Sequence, residues 1–251
     1  MDVAYNDFTF TAGHFISPLE WESYMAPKNF FYSHSYAFMY AVPGTLTGGM
    51  LSWDFSDQAQ VYAGFHRGGD QFTDTDGLNA LNFIGGGSWE SKDGNTYIEC
   101  GVDVEENGHH DQVVMGALSL HRRLNCCTEW MIEYVVGHKE VCGNDWYGIN
   151  QHLIRKINNC WSIGARFEWF RDDDGDVVLG FREPHQAPGP YIGNFWELTF
   201  GVNWQPREKL IIRNEIRWDW YTADHPGGPL PFDAGDKSQQ FLYGIDLIYL
   251  F

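Results

Sequence analysis

Large apolar side chains recur at every second position over most of this 251-residue chain, and no helical period is sustained over three turns. The final stretch, FLYGIDLIYLF, sets the pattern. Phe241, Tyr243, Ile245, Leu247, Tyr249 and Phe251 fall on one face, and Gln240, Leu242, Gly244, Asp246, Ile248 and Leu250 on the other. Such alternation predicts about twelve strands, at approximately 3–14, 46–55, 59–67, 78–89, 95–105, 112–123, 127–137, 145–155, 160–170, 194–205, 209–221 and 239–251. Each is roughly 9–12 residues long, near the length that crosses a bilayer when tilted.

The connections alternate in kind. Short polar turns occur at SDQ (56–58), SKDG (91–94), RLNC (123–126), INN (157–159) and QPREK (205–209). Between them lie longer Gly- or Asp-rich loops, such as RGGDQFTDTDG, EENGHHD, GHKEVCGND and the stretch from Arg171 to Gly193. A soluble sandwich has no reason to sort its loops by parity. An up-and-down transmembrane β-barrel does, because its periplasmic turns are short and its external loops long.

One strand face is apolar and the other charged. In 209–221, Leu210, Ile212, Asn214, Ile216, Trp218 and Trp220 oppose Ile211, Arg213, Glu215, Arg217, Asp219 and Tyr221. Glu99, Asp103, Glu129, Glu133, Arg166, Glu168 and Glu197 sit on the polar faces of the other strands. Alternation alone leaves open which face is inside. The aromatics favour lipid outside: Trp161 and Trp169, Trp196 and Trp204, and Tyr243 and Phe251 bracket the apolar faces near both strand ends. Aromatic rings collect at the two membrane interfaces, whereas a packed core puts its bulk mid-strand.

Composition narrows the function classes. A formal charge of −18 disfavours nucleic acid as a partner. No stretch approaches the roughly 18–20 consecutive apolar residues of a spanning helix, which leaves insertion by strands. Cys100, Cys126, Cys127, Cys142 and Cys160 form no CxxC pair, and most are expected to be free thiols. MDVAYNDFTF lacks the basic and apolar regions of a signal peptide, so either the protein is not exported or the chain is mature or truncated, and its start as a strand favours a piece of something longer.

Several stretches carry a family resemblance: FTAGHFISPLEWES, NFFYSHSYAFMYAVPGTLTGGMLSWDFSDQAQVYAGFHRG and SIGARFEWFRDDDG. In family order over essentially the whole chain, they resemble the "putative beta-barrel porin-2" family, also called OmpL-like. One departure is Glu20 before Trp21 and Glu22, where the family tends to have Gly before the aromatic–Glu pair. The resemblance implies a single outer-membrane β-barrel domain over 1–251, N-terminally shortened, passing small hydrophilic solutes or ions through a water-filled lumen. It implies outer-membrane lipid as surroundings, no catalytic activity and no cofactor, and it allows a homo-oligomer. The terminal strand, with Tyr249 third from the end and Phe251 last, resembles the signal that the barrel-assembly machinery recognises.

By analogy with porins, the aromatic connection 16–45 is expected to fold into the lumen with a short helix near 33–42, the alternative being an external cap packed on neighbouring loops. Glu20, Glu22, His34 and Tyr36 are its constriction candidates. Glu99, Asp103, Glu129, Glu133, Arg166, Glu168, Glu197, Arg213, Glu215, Arg217 and Asp219 are the pore-lining set. Acids outnumber bases there, which points to a mildly cation-favouring pore. The plainer reading is that Arg166, Arg213 and Arg217 pair with Glu168, Glu197 and Glu215 to hold the wall. DDDGDVVLGFRE (172–183) places Asp172, Asp174, Asp176 and Glu183 at EF-hand-like spacing, but has Val177 where that loop requires Gly, so a solvated loop is the stronger reading. His109, His110 and His121 lack a second pair at ligand spacing. The alternative to a pore is a soluble all-β carbohydrate-binding protein, or a glycoside hydrolase using two of Glu133, Glu168 and Glu197.

Overall fold

Alternation becomes strands that pair only with their neighbours in sequence. The computed structural model describes residues 1–72, 81–106, 112–141, 143–178 and 190–250. Thirteen strands form one antiparallel sheet: β1 (Asp2–Tyr5), β2 (Phe8–Ile16), β3 (Thr45–Ser56), β4 (Ala59–Gly69), β5 (Asn82–Glu90), β6 (Thr96–Glu106), β7 (Gln112–Asn125), β8 (Thr128–Lys139), β9 (Asn144–Lys156), β10 (Trp161–Asp172), β11 (Gly193–Arg207), β12 (Leu210–Ala223) and β13 (Gln239–Tyr249). Among the described residues no pairing joins β13 back to β1 or β2.

One boundary differs from the sequence reading. The first expected strand, 3–14, is a hairpin in which Tyr5 pairs Phe8 across Asn6 and Asp7. Asn6 takes a left-handed φ of 51°, a conformation that asparagine tolerates better than most residues. The two kinds of connection still alternate, and the new turn joins the short set.

Burial decides which face is inside. Along β12, Arg213, Glu215, Arg217 and Asp219 are buried, whereas Ile216 and Trp218 are 42% and 44% exposed. Along β13 the row Phe241, Tyr243, Ile245, Leu247 and Tyr249 is exposed throughout. This inversion of the usual protein pattern marks the apolar band as the outer surface. Trp161 stacks on Trp204 at 5.6 Å near the short-turn rim, and Trp196 on Trp220 at 6.0 Å near the long-loop rim. Trp161 and Trp169 lie eight residues apart on β10, about 26 Å along a strand, which is the scale of a tilted crossing of the apolar layer.

The charged face is concave, because one segment touches strands far apart in the sheet. Residues 17–44 connect β2 to β3. They reach Gly69 on β4 through Pro43, Gly101 on β6 through Leu19, and Gly244 on β13 through Tyr32. A 3-10 turn (Ala26–Lys28) and a π turn (Ala37–Ala41) are the segment's regular pieces, the latter within the stretch where a short helix is expected. No helix in the described residues is long and apolar enough to cross a membrane.

Candidate functional site

A non-sheet segment held inside a barrel needs partners for its backbone polar groups, since neither strands nor bulk water supply them. Here the wall supplies them, with carboxylates facing N–H groups and guanidiniums facing carbonyls. Glu168 accepts hydrogen bonds from the Tyr36 and Ala37 N–H groups at 2.6 and 2.7 Å. Glu215 accepts from Tyr32 and Ser33 at 2.7 and 3.0 Å, and Glu133 from Trp21 at 2.9 Å. Arg213 Nη1 donates to the Ala26, Asn29 and Phe31 carbonyls while its other nitrogens grip Asp246.

Arg166, fully buried, is the centre of this network. Its Nη1 donates to Glu22 Oε1 and to the Ser33 carbonyl, both at 2.7 Å, and its Nε to Glu197 Oε1 at 2.8 Å. The guanidinium also lies over the Phe31 ring, 5.1 Å from its centroid. Arg217 donates to Asp219 at 2.7 Å and to the His34 carbonyl, approaches Glu197 at 3.4 Å, and covers the Tyr36 ring. Of the three cross-strand pairs expected, the plain version therefore changes. Glu197 is shared by two arginines, while Glu168 and Glu215 instead hold the segment's N–H groups. The physical reason is that one carboxylate can accept from two consecutive N–H groups of a segment that has no strand partner.

Two of the constriction candidates sit beside each other in opposite electrostatic settings. Burial opposes ionisation of Glu22, but Arg166, the His34 hydrogen bond (3.1 Å) and His152 (3.6 Å) hold its carboxyl well below the usual carboxylate range. Among the described residues no cation pairs with Glu20. Burial, and then the charges of Glu133, Glu22 and Asp70, push its carboxyl upward. His34 stacks on Phe38 with ring centroids 4.0 Å apart, and Tyr36 is buried against Phe195.

The aromatic part of the segment is seated on a row of glycines. Gly164, Gly201, Glu215 and Gly244 are consecutive partners across β10–β13. A Cβ on Gly164 would stand 2.5 Å from the Phe30 ring, one on Gly201 3.0 Å from it and 3.1 Å from Phe31, and one on Gly244 2.9 Å from Tyr32. Only a strand stripped of side chains lets three rings lie this close to the wall.

Nine of the eleven pore-lining candidates are buried: Asp103, Glu133, Arg166, Glu168, Glu197, Arg213, Glu215, Arg217 and Asp219. Most of them lie under segment 17–44. Glu99 and Glu129 are partly exposed, the first accepting from the Tyr97 hydroxyl and the second beside His121 and Arg123. At the short-turn end an open hollow of about 690 Å³ is lined by Asp7, Asp54, Asp57, Gln58, Gln60, Ser88, Glu90 and Tyr97. Sequence reasoning missed these residues, although Asp54, Ser88 and Glu90 lie on the polar faces of β3 and β5.

The remaining candidates fall as follows. Asp172 accepts from the N–H groups of Gly175, Asp176, Val177 and Val178, so its carboxylate organises the loop backbone, and Glu183 lies outside the described residues. His109, His110, Cys142 and Phe251 also lie outside them. Cys100, Cys126, Cys127 and Cys160 are free. The hydrolase candidates Glu133, Glu168 and Glu197 are all buried and engaged by the segment or by arginine.

Solved structures with this architecture include outer-membrane proteins, a porin among them. The anion-selective porin of Comamonas acidovorans superposes with a TM-score of 0.65 at 8% identity, covering 100% of this chain and 76% of that one. A loop L8 deletion mutant of OmpT from Vibrio cholerae gives 0.63 at 11% identity, with 99% and 77% covered. OprD of Pseudomonas aeruginosa gives 0.56 at 10%, with 99% and 68% covered. At such identities the likeness is one of fold. No curated protein matches the sequence. The profile of the family described as "Putative beta-barrel porin-2, OmpL-like" matches residues 3–251, so the chain belongs to that family of bacterial outer-membrane porins.

Proposed function

We propose that the chain is a general diffusion channel whose constriction is segment 17–44 and whose free passage runs along the β3–β6 side of the interior. The observation that carries this reading is the use made of charge. Arg166, Arg213 and Arg217 are all buried in holding the segment. The acids around the hollow, Asp7, Asp54, Asp57 and Glu90, face open space. Arginines held by the segment and acids lining the open hollow together favour cations there. The anion preference in the name of the Comamonas porin is that protein's own.

Planar-bilayer recording tests this. Stepwise conductance with a reversal potential on the cation side in a salt gradient is expected, and Asp54→Asn with Glu90→Gln should move that potential toward zero. Folded protein that gives no steps would refute the channel, and an unchanged potential in the double variant would refute the role of the hollow.

A homo-oligomer is the second part of the proposal, in line with the trimer form in which one OmpT structure was obtained. Cross-linking in detergent checks it. The exposed row from Phe241 to Tyr249 also suits recognition of the last strand by the assembly machinery, which removal of Phe251 would test through outer-membrane yield.

A further inference from the structure

We propose that His66, Asp103 and Glu105 bind one divalent transition-metal ion in the barrel wall. His66 lies on β4, and Asp103 and Glu105 on β6, with β5 between them. One ligand atom from each residue lies within 4.8 Å of the other two. His66 Nε2 is 3.1 Å from Asp103 Oδ2, and Nδ1 is 3.9 Å from Glu105 Oε1.

The second observation is that, among the described residues, these atoms have few partners beyond one another. Beside the 3.1 Å contact of His66 Nε2 with Asp103 Oδ2, Asp103 Oδ1 and Glu105 Oε1 are buried with no hydrogen bond from the described residues, and the side chains of His66 and Asp103 are fully buried. Buried polar groups in folded proteins are nearly always satisfied, so two carboxylate oxygens left over beside this pair call for an explanation. Charge points the same way. Glu22 and Glu197 each meet a guanidinium, but among the described residues no lysine or arginine pairs with Asp103 or Glu105. Two carboxylates facing one imidazole suit a 2+ ion.

One imidazole nitrogen with two carboxylate oxygens suits zinc or a neighbouring first-row ion, with a fourth position left for water. Magnesium and calcium prefer oxygen alone. The surroundings leave room for the donors to draw in. A Cβ on Gly69 would come within 2.9 Å of Glu105 Oε1, so glycine there preserves the carboxylate's place. The Glu105 side chain is 18% exposed and gives the ion its entry. Binding at Nε2 requires the ring to carry its hydrogen on Nδ1 and to give up a 3.2 Å contact from the Gly68 N–H, a glycine at φ 128°.

The test uses the folded chain in detergent, stripped with chelator and divided, one portion dialysed against Zn²⁺ for stoichiometry and the other titrated with Co²⁺ for its visible absorption. One ion per chain is expected. His66→Gln, Asp103→Asn and Glu105→Gln should each weaken binding at least tenfold, while Asp174→Asn in the acidic loop should not. Heat-modifiable gel migration reports whether each variant is folded. If the two fully buried positions do not tolerate change, Glu105→Gln decides. No stoichiometric ion on the wild type, or binding unchanged in the folded variants, would overturn the site.

Discussion

Arg166 Nη1 on the barrel wall lies 2.7 Å from Glu22 Oε1 on the internal segment, a contact spanning 144 residues of sequence. Both groups are buried, so Glu22 is compensated chiefly by Arg166, and Arg166 by Glu22 and Glu197. Removing one partner of such a pair leaves an uncompensated charge, a loss of about 3–5 kcal/mol. Arg166→Met should therefore lower stability against urea by that order and free the segment near Glu22. Single-channel conductance should rise with broader current noise. Unchanged conductance together with unchanged stability would show that the contact holds nothing in place.

The glycine row can be tested without touching a charge. Gly164→Val adds a branched side chain where even a Cβ would be 2.5 Å from the Phe30 ring. The strand backbone cannot recede, because Gly164 is paired on both sides, with Ile154 and Gly201. The rings of Phe30 and Phe31 should leave the wall, and proteolysis within 17–44 should become faster in an otherwise intact barrel. A cleavage rate equal to wild type would show that the row is not the seat of the segment.

The neighbouring glutamates predict opposite responses to pH. The Glu22 carboxyl is depressed in the folded state, so its contribution is complete above the unfolded value of about 4.3 and fades as pH falls toward the folded one. The Glu20 carboxyl is raised, so its contribution is complete below the unfolded value and is lost as pH rises through the folded one. Thermal midpoints between pH 3 and 8 should show Glu22→Gln removing stability most at neutral pH, whereas Glu20→Gln should add it there. The same sign for both variants at neutral pH would contradict the two settings.

Much of the barrel is legible in sequence because its signals are local. Period-two alternation, turn parity and aromatic positions all lie within a dozen residues of one another, and they recover twelve of the thirteen strands. The β1–β2 hairpin was hidden because Asn6 and Asp7 interrupt the alternation by only two residues, although an Asn-led pair is itself a hairpin signal. The interior resists such reading. Glu168 meets Tyr36 across 132 residues and Arg217 meets His34 across 183, and nothing in strand spacing says which wall charge faces which part of the segment. The glycines at 164, 201 and 244 gave the same difficulty, since their shared row exists only once the register of four strands is fixed.

The outward face offers the sharpest contrast between a lipid-facing surface and a core. Ile216 is 42% exposed at the middle of β12, on the same row as Trp218 and opposite Phe200 and Tyr243. In a soluble sandwich an exposed isoleucine exchanged for arginine costs little, because the charge enters water. At the bilayer midplane arginine costs roughly 2–4 kcal/mol, and the cost shrinks toward the interfaces. Ile216→Arg should thus lower the folding free energy into lipid vesicles by that amount. Arginine in place of Leu210, close to the short-turn rim, should cost about 1 kcal/mol or less. Equal penalties at the two positions would mean that no depth gradient exists along β12, and that this face does not meet a membrane.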